Sequence, residues 1–283
     1  MCTAFKYKTY MGRNFDYEIS LGEQIITIPA NEYDNKYAII GICTGIVDDY
    51  PLLYDGMNEK GLCMAGLAFE GNAGYSENGI PAYDFILRIL GKYESVTEFI
   101  ADKPTVSNEQ YKDIPNSDLH WFLCDSERAV IIESIDGEMR IHNALTEVLT
   151  NNPPYAQQLE LMTNVFNLIG SYPEPPLLYK TRGNETYGLL GDYTSYSRFS
   201  RVAYLKNNLE KADVEFNGLT QAFHLLASAE QVYGSAKVGD KFEYTIYSAV
   251  YDMDSGALVV RTYDDMSHYH IEFGFDEVNR YDI

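Results

Sequence analysis

Hydrophobic patterning along this 283-residue chain runs strands, helices, strands, helices, strands, and no linker or internal repeat divides it. Apolar residues spaced by two mark strands, and spacings of three and four mark helices. Thr3 to Tyr7 and Met11 to Tyr17 read as a hairpin turning at Lys8-Thr9-Tyr10. Gln24 to Ile28 alternates until Pro29 stops it. Tyr37 to Val47 and Leu62 to Phe69 are near-continuous apolar runs, as in strands buried on both faces, with Asn58-Glu59-Lys60-Gly61 as the turn before the second. Pro81 suits a first helical position, and Ala82, Phe85, Ile86, Ile89 and Leu90 then share one helix face. Ser95-Val96-Thr97-Glu98 is a capping box opening a short helix that Pro104 ends.

Strands resume at Leu119 to Cys124, Ala129 to Glu133 and Met139 to His142, and Tyr155 to Ile169 reads as a helix. Ser171 to Asp192 is a Pro- and Gly-rich loop, long enough to be functional or to serve assembly. Helices over Arg198 to Lys211 and Leu219 to Val232 precede the closing strands. Phe242, Tyr244, Ile246, Ser248 and Val250 alternate; Ala257 to Tyr263 follows a turn at Asp254-Ser255-Gly256, and His268 to Phe273 comes last. This order predicts an α+β fold of two stacked sheets with helices outside.

Composition narrows the function. The net charge of −21 repels phosphate backbones and anionic lipid, which argues against nucleic acid and membrane partners. The start, Met1-Cys2-Thr3-Ala4-Phe5-Lys6, lacks a basic-then-apolar signal segment, and the longest nearly apolar run, Tyr37 to Val47, is too short to span a bilayer, so a cytoplasmic location is expected. Cys2, Cys43, Cys63 and Cys124 lie far apart with no C-x-x-C pair, which is neither a zinc pattern nor, in a reducing compartment, a disulfide set. Dinucleotide, P-loop, serine-elbow and zincin motifs are absent, so no metal or cofactor is expected. His268 and His270 share a strand face and could be half a metal site, but packed or surface histidines explain them as well.

Cys2 is the residue to weigh. It is either a small buried strand residue or, once the initiator methionine is removed, a nucleophile that owns a thiol and a free α-amine. Such an amine can act as general base for its own side chain. In the return strand, Met11-Gly12-Arg13-Asn14-Phe15-Asp16-Tyr17, the expected turn sets Asp16 almost opposite Thr3, where it can hold the new ammonium, and brings Arg13 within reach of the sulfur. A surface ion pair is the alternative for those two.

Met1-Cys2-Thr3 followed by Gly12-Arg13-Asn14-x-Asp16 resembles the choloylglycine hydrolase family, the bile salt hydrolases and penicillin V acylases among N-terminal-nucleophile hydrolases. Asp55-Gly56-Met57-Asn58-Glu59-Lys60-Gly61-Leu62, Leu119-His120-Trp121, Thr150-Asn151-Asn152-Pro153, Ser197-Arg198-Phe199, Tyr247-Ser248 and Arg261-Thr262-Tyr263-Asp264 continue the likeness in order along the chain. One departure is Gly188-Leu189-Leu190-Gly191-Asp192, where the family commonly has proline at the third position. The resemblance implies a four-layer αββα sandwich, one domain over residues 1–283 with Met1 removed, and a homotetramer. It implies a catalytic set of Cys2 as nucleophile, Arg13 and Asp16 beside it, Asn151 as side-chain oxyanion donor, Asn72 as backbone oxyanion donor and Arg198 as a further active-site arginine. Read by themselves, Asn72 suits a Gly-rich turn and Asn151 a helix cap. Met11, Ile19, Ala65 and Phe69 are the expected substrate contacts by position. The implied reaction is amide hydrolysis of a small molecule through a thioester, on a glycine- or taurine-conjugated bile salt or on penicillin V; a non-catalytic relative or a redox-sensing cysteine protein is the alternative class.

Overall fold

A computed structural model describes residues 1–114, 117–169, 186–211 and 215–283. Two large antiparallel sheets lie face to face. The first, 7-stranded, runs Val148–Leu149, Cys2–Tyr7, Tyr10–Tyr17, Lys241–Asp252, Ala257–Thr262 and Tyr269–Glu272, with Ala236–Val238 paired off this path to Lys241–Asp252. The second, 8-stranded, runs Glu138–Asn143, Ala129–Ile135, Leu119–Cys124, Cys63–Ala68, Leu53–Asn58, Ile39–Cys43, Gln24–Ile28 and Asn279–Asp282. Helices Phe85–Lys92 and Val96–Asp102 accompany the second sheet, and Tyr155–Leu168, Ser195–Lys211 and Gly218–Ala227 the first. This is the expected αββα sandwich. Among the described residues no helix is long and apolar enough to cross a membrane.

The double-sided burial follows from the strand period of two. In Cys63–Ala68, Cys63, Ala65 and Leu67 enter the core between the sheets, while Met64 enters the core under the helices. Ile25 and Ile26 divide in the same way. That is why these stretches are continuously apolar. On the helix side, Phe85, Ile86, Ile89 and Leu90 supply the predicted face, and Ser95 Oγ accepts from the Glu98 amide as the capping box requires. Each such side chain, fully buried, contributes about 1.5–3 kcal/mol.

Four expectations change. Pro81 is not a first helical position: it pairs in the short strand Ile80–Pro81, and the helix begins at Phe85, leaving Ala82 ahead of it. The first hairpin turns in two residues, not three: Tyr7 pairs with Tyr10, and Lys8 takes φ 54°, the left-handed conformation of tight primed turns. Thr3 therefore faces Asn14, and Asp16 falls opposite Met1. Gly12 is required here, because a Cβ at that position would come within 2.4 Å of the Phe5 ring. The run Tyr37 to Val47 holds only one short strand, Ile39–Cys43, paired on one side with Gln24–Ile28 and on the other with Leu53–Asn58, whose interior Asp55 and Gly56 hid it from a hydrophobic pattern. The turn at Asn58 to Gly61 joins that strand to Cys63–Ala68. Helix bounds shift to Tyr155–Leu168, Ser195–Lys211 and Gly218–Ala227, the last stopping well before the expected Val232 and leaving Gln231 beyond the helix. Most of the Ser171 to Asp192 loop lies outside the described residues; at its end Asp192 accepts from the Thr194 amide and Ser197 Oγ, heading the helix that carries Arg198.

Candidate active site

The N-terminal strand and its hairpin partner open onto a cavity of about 370 Å³ lined by Cys2, Arg13, Phe15, Asp16 and Tyr17. Its other walls include Leu21, Leu52, Tyr54, Ile86, Tyr83 and Tyr111, with Glu70, Asp118 and Glu243 adding carboxylates.

Cys2 is buried, with Sγ 3.6 Å from Arg13 Nη2. A cation beside the sulfur stabilises negative charge there. Arg13 is itself held from behind. Nη1 donates to the Gly66 carbonyl at 2.6 Å, and Nε meets Asp55 Oδ2 at 2.7 Å. Asp55 is fully buried and also accepts from the Tyr247 and Tyr251 hydroxyls. Burial disfavours the guanidinium, but Tyr247, Cys2 and Asp55 outweigh it and Arg13 stays charged. Burial pushes Asp55 upward, against Arg13 and the two tyrosines.

Asp16 points away from solvent between the sheet and the helices. Its carboxylate accepts from Thr245 Oγ1 at 2.6 Å and Gln231 Nε2 at 2.9 Å, with Arg198 Nη1 at 3.8 Å. Burial raises its pKa, opposed by Arg198, the N-terminal ammonium, Thr245 and Arg13. The Asp16 backbone pairs with Met1: Met1 N donates to Asp16 O at 2.6 Å and Asp16 N to Met1 O at 2.8 Å. Glu243 Oε2 lies 2.9 Å from Met1 N.

Asn151 joins the groups. Its Oδ1 accepts from Cys2 N at 2.7 Å and Arg198 Nη2 at 2.8 Å, and its Nδ2 donates to the Ala68 carbonyl at 3.0 Å. Arg198 donates further to Cys2 O at 2.5 Å and Thr3 Oγ1 at 2.8 Å. Burial lowers the Arg198 pKa, against Asp16 and Cys2. Cys2, Arg13, Asp16, Asn151 and Arg198 thus form one connected set.

Asn72 does not join it. Its amide donates to Phe69 O at 3.1 Å, closing a turn, and its side chain donates to Glu70 O. The Gly-rich turn reading describes it, and the cavity wall holds Gly66, Ala68 and Glu70 instead. The four expected substrate contacts also miss the cavity. Ala65 enters the inter-sheet core and Phe69 stacks on His120, while Gly66, Ala68 and Glu70 line the cavity. Met11 lies at the turn end of its strand, wholly buried between the sheets, and Ile19 lies beyond the strand end, 52% exposed beside Tyr233, Tyr244 and Tyr263. Asp55, Tyr247, Thr245 and Gln231 support the set without having been expected in it from the sequence. Asp55 carried a signal, a charged residue in the Asp-Gly-Met-Asn stretch; Gln231 carried none.

The remaining cysteines sit elsewhere. Burial pushes the Cys43 thiol up to about 11 and Cys63 well above the ordinary thiol value, so both stay protonated and inert. His268 packs near Phe223, and His270 faces Glu272 in an exposed pair.

Behind Asn151 lies a polar cluster of buried Glu133 and His120 with half-buried His142. Glu133 accepts from the Tyr155 amide at 2.7 Å, His120 Nδ1 faces it at 3.6 Å and His142 Nε2 at 3.2 Å. Burial alone would raise the Glu133 pKa, but His120, His142 and the amide overcome it and bring it down from 4.5 to about 2. The unfolded chain therefore takes up this proton first as pH falls. Glu133 contributes its full stabilisation above pH 4.5 and loses it as pH drops toward about 2. Urea unfolding of Glu133→Gln from pH 5 to 2 should show a shallower acid loss than wild type; parallel curves would contradict this assignment.

The family description "linear amide C–N hydrolases, choloylglycine hydrolase family" matches residues 1–280. A bile salt hydrolase/transferase of Lactiplantibacillus plantarum is 39% identical, over 96% of this chain and 94% of that protein. One from Clostridium perfringens is 33% identical, over 94% of this chain and 90% of that protein. The solved structure of a variant conjugated bile acid hydrolase from Clostridium perfringens matches with a TM-score of 0.88 and 29% identity, covering 100% of this chain and 97% of that one. Penicillin V acylase from Agrobacterium tumefaciens shares the fold, with a TM-score of 0.75, 19% identity and coverage of 96% of this chain and 86% of that one. Likeness of this extent, in sequence and in the sandwich that carries the cavity, makes this chain a member of the choloylglycine hydrolase family and a C–N hydrolase of linear amides.

Proposed function

We propose that this enzyme hydrolyses the amide bond of glycine- or taurine-conjugated bile salts, with Cys2 as nucleophile in a chain from which Met1 has been removed. The observation that carries the reading is the placement of Cys2 at the cavity wall, its sulfur beside Arg13 and its nitrogen on Asn151 Oδ1. The freed Cys2 amine takes the thiol proton, directly or through water, and the thiolate attacks the substrate carbonyl. Arg13, fixed by Asp55 and Gly66, stabilises the sulfur's negative charge. Arg198 and the Asp16 carboxylate frame the amine, and Asn151 Nδ2 turns from the Ala68 carbonyl to the oxyanion. One such donor is worth about 2.7–4 kcal/mol. No oxyanion role falls to Asn72 in this reading, since its amide donates to the Phe69 carbonyl. The Cys2 amine then returns the proton to the leaving nitrogen as the C–N bond breaks, and water hydrolyses the thioester.

Bile salts suit the cavity because Leu21, Leu52, Ile86, Tyr54 and Tyr83 present a broad apolar wall to a rigid acyl group. The bile salt names of the relatives at 30% identity and above support the same choice. The reading takes the enzyme as one cytoplasmic domain over the whole chain, assembled as a homotetramer; sedimentation tests the assembly. On Met-free protein, glycocholate and taurocholate should exceed penicillin V in kcat/KM by about tenfold or more, a difference of ~1.4 kcal/mol in transition-state binding. A preference for penicillin V overturns the substrate assignment.

A further inference from the structure

The geometry points to His120, stacked on Phe69 and flanked by Glu133, as a positioning residue for Asn151. The inference rests on the reading of Asn151 as oxyanion donor. Asn151 lies outside any named strand, so neighbouring backbone does not fix it on both sides. Side chains do. The Thr150 carbonyl is met by His120 Nε2 at 2.7 Å, and the Asn151 carbonyl by Gln158 Nε2 at 2.6 Å. The Asn151 amide donates to Ser195 Oγ at 2.9 Å. A carbonyl only accepts, so His120 carries its hydrogen on Nε2 at this contact.

His120 is placed with little freedom. Its ring is fully buried and stacks on Phe69 at 4.3 Å and 12°. Nδ1 faces Glu133, which is anchored in turn by the Tyr155 amide at the start of helix Tyr155–Leu168. The Phe69 stack on one face and the Glu133 carboxylate 3.6 Å from Nδ1 thus flank a ring whose Nε2 donates to the peptide leading into Asn151. At the other end, the Asn151 amide group already contacts Cys2 N, Arg198 and Ala68 O, so a shift of the Thr150 carbonyl moves the donor relative to the nucleophile. Displacements of about 1 Å in such a constellation lower rates by about 100-fold.

The test uses the full-length, Met-free enzyme with glycocholate. His120→Met keeps the bulk and removes the donor; His120→Gln keeps an N–H near the Nε2 position. His120→Met should lower kcat about 100-fold with KM within threefold, and His120→Gln should recover kcat to within tenfold of wild type. Glu133→Gln, which keeps an acceptor for the Tyr155 amide, should lower kcat about tenfold and leave KM unchanged. It serves as the readout if His120→Met does not fold. A folded His120→Met with wild-type kcat, an effect on KM alone, a His120→Gln no better than His120→Met, or a Glu133→Gln with unchanged kcat overturns the proposal. Asn151→Ala in the same assay separates the two claims. If it is inactive while His120→Met is active, the positioning role alone fails; if it retains wild-type kcat, the oxyanion reading fails and the positioning role with it.

Discussion

Cys2→Ala should leave no measurable turnover of glycocholate, while its thermal transition stays within a few degrees of wild type. The substitution deletes one buried sulfur from the first position of a strand whose ladder with Tyr10–Tyr17 is unaffected. Losing one small group costs about 1 kcal/mol, which moves Tm by roughly 2–4 °C in a domain of this size. Activity has no such tolerance, because no other thiol among the described residues lines the cavity. Cys2→Ser should also be nearly inactive, since a hydroxyl ionises far less readily than a thiol. Alanine at Cys43, Cys63 or Cys124 should do the opposite, keeping kcat within twofold and lowering stability by about 1–3 kcal/mol. Cys2→Ala within tenfold of wild type would end the nucleophile assignment.

Asp55→Leu should be damaging twice over, in stability and in rate. Asp55 is the anion of a fully buried cluster with Arg13, Tyr247 and Tyr251, and it stands behind Arg13 on the side away from the sulfur. Removing one partner of a buried pair leaves the other charge uncompensated, at a cost of about 3–5 kcal/mol. The rate should fall by about 100-fold or more, because Arg13 no longer holds its place beside Cys2. The pair Asp55→Leu with Arg13→Met separates the two effects. Removing both charges should restore much of the lost stability, and turnover should stay low. Recovery of rate in the double variant, measured by kcat beside urea unfolding, would show that Arg13 serves only the fold.

What the chain's own order of residues determined is local and periodic. The apolar runs at Tyr37 to Val47 and Leu62 to Phe69 announced sheets covered on both faces, since a strand buried on two sides has no polar face to alternate with, and they hold the strands Ile39–Cys43 and Cys63–Ala68. The hairpin from Cys2 to Tyr17 kept Arg13 and Asp16 close to Cys2 because their separation along the chain is small. A turn shorter by one residue still moved Asp16 from Thr3 to Met1, which no composition of Lys8-Thr9-Tyr10 foretold. Leu53–Asn58 was illegible for a different reason: its buried Asp55 is tolerable only because three partners from two distant strands satisfy it.

Only the tertiary structure decided which side chains reach the cavity. Ala65 enters the inter-sheet core while its neighbour Gly66 meets the site through its backbone carbonyl, on Arg13, a contact that no side-chain pattern announces. Gln231 reaches Asp16 across 215 positions, and Arg198 reaches Cys2 across 196, distances over which a pattern of polar and apolar residues carries no geometric information. Asn72, placed in the site by motif, closes its own turn instead, because its amide finds the Phe69 carbonyl three residues back before it can face the cavity. Sequence periodicity thus set the layers and the hairpin that bears the nucleophile; long-range packing of buried charges chose the groups that surround it.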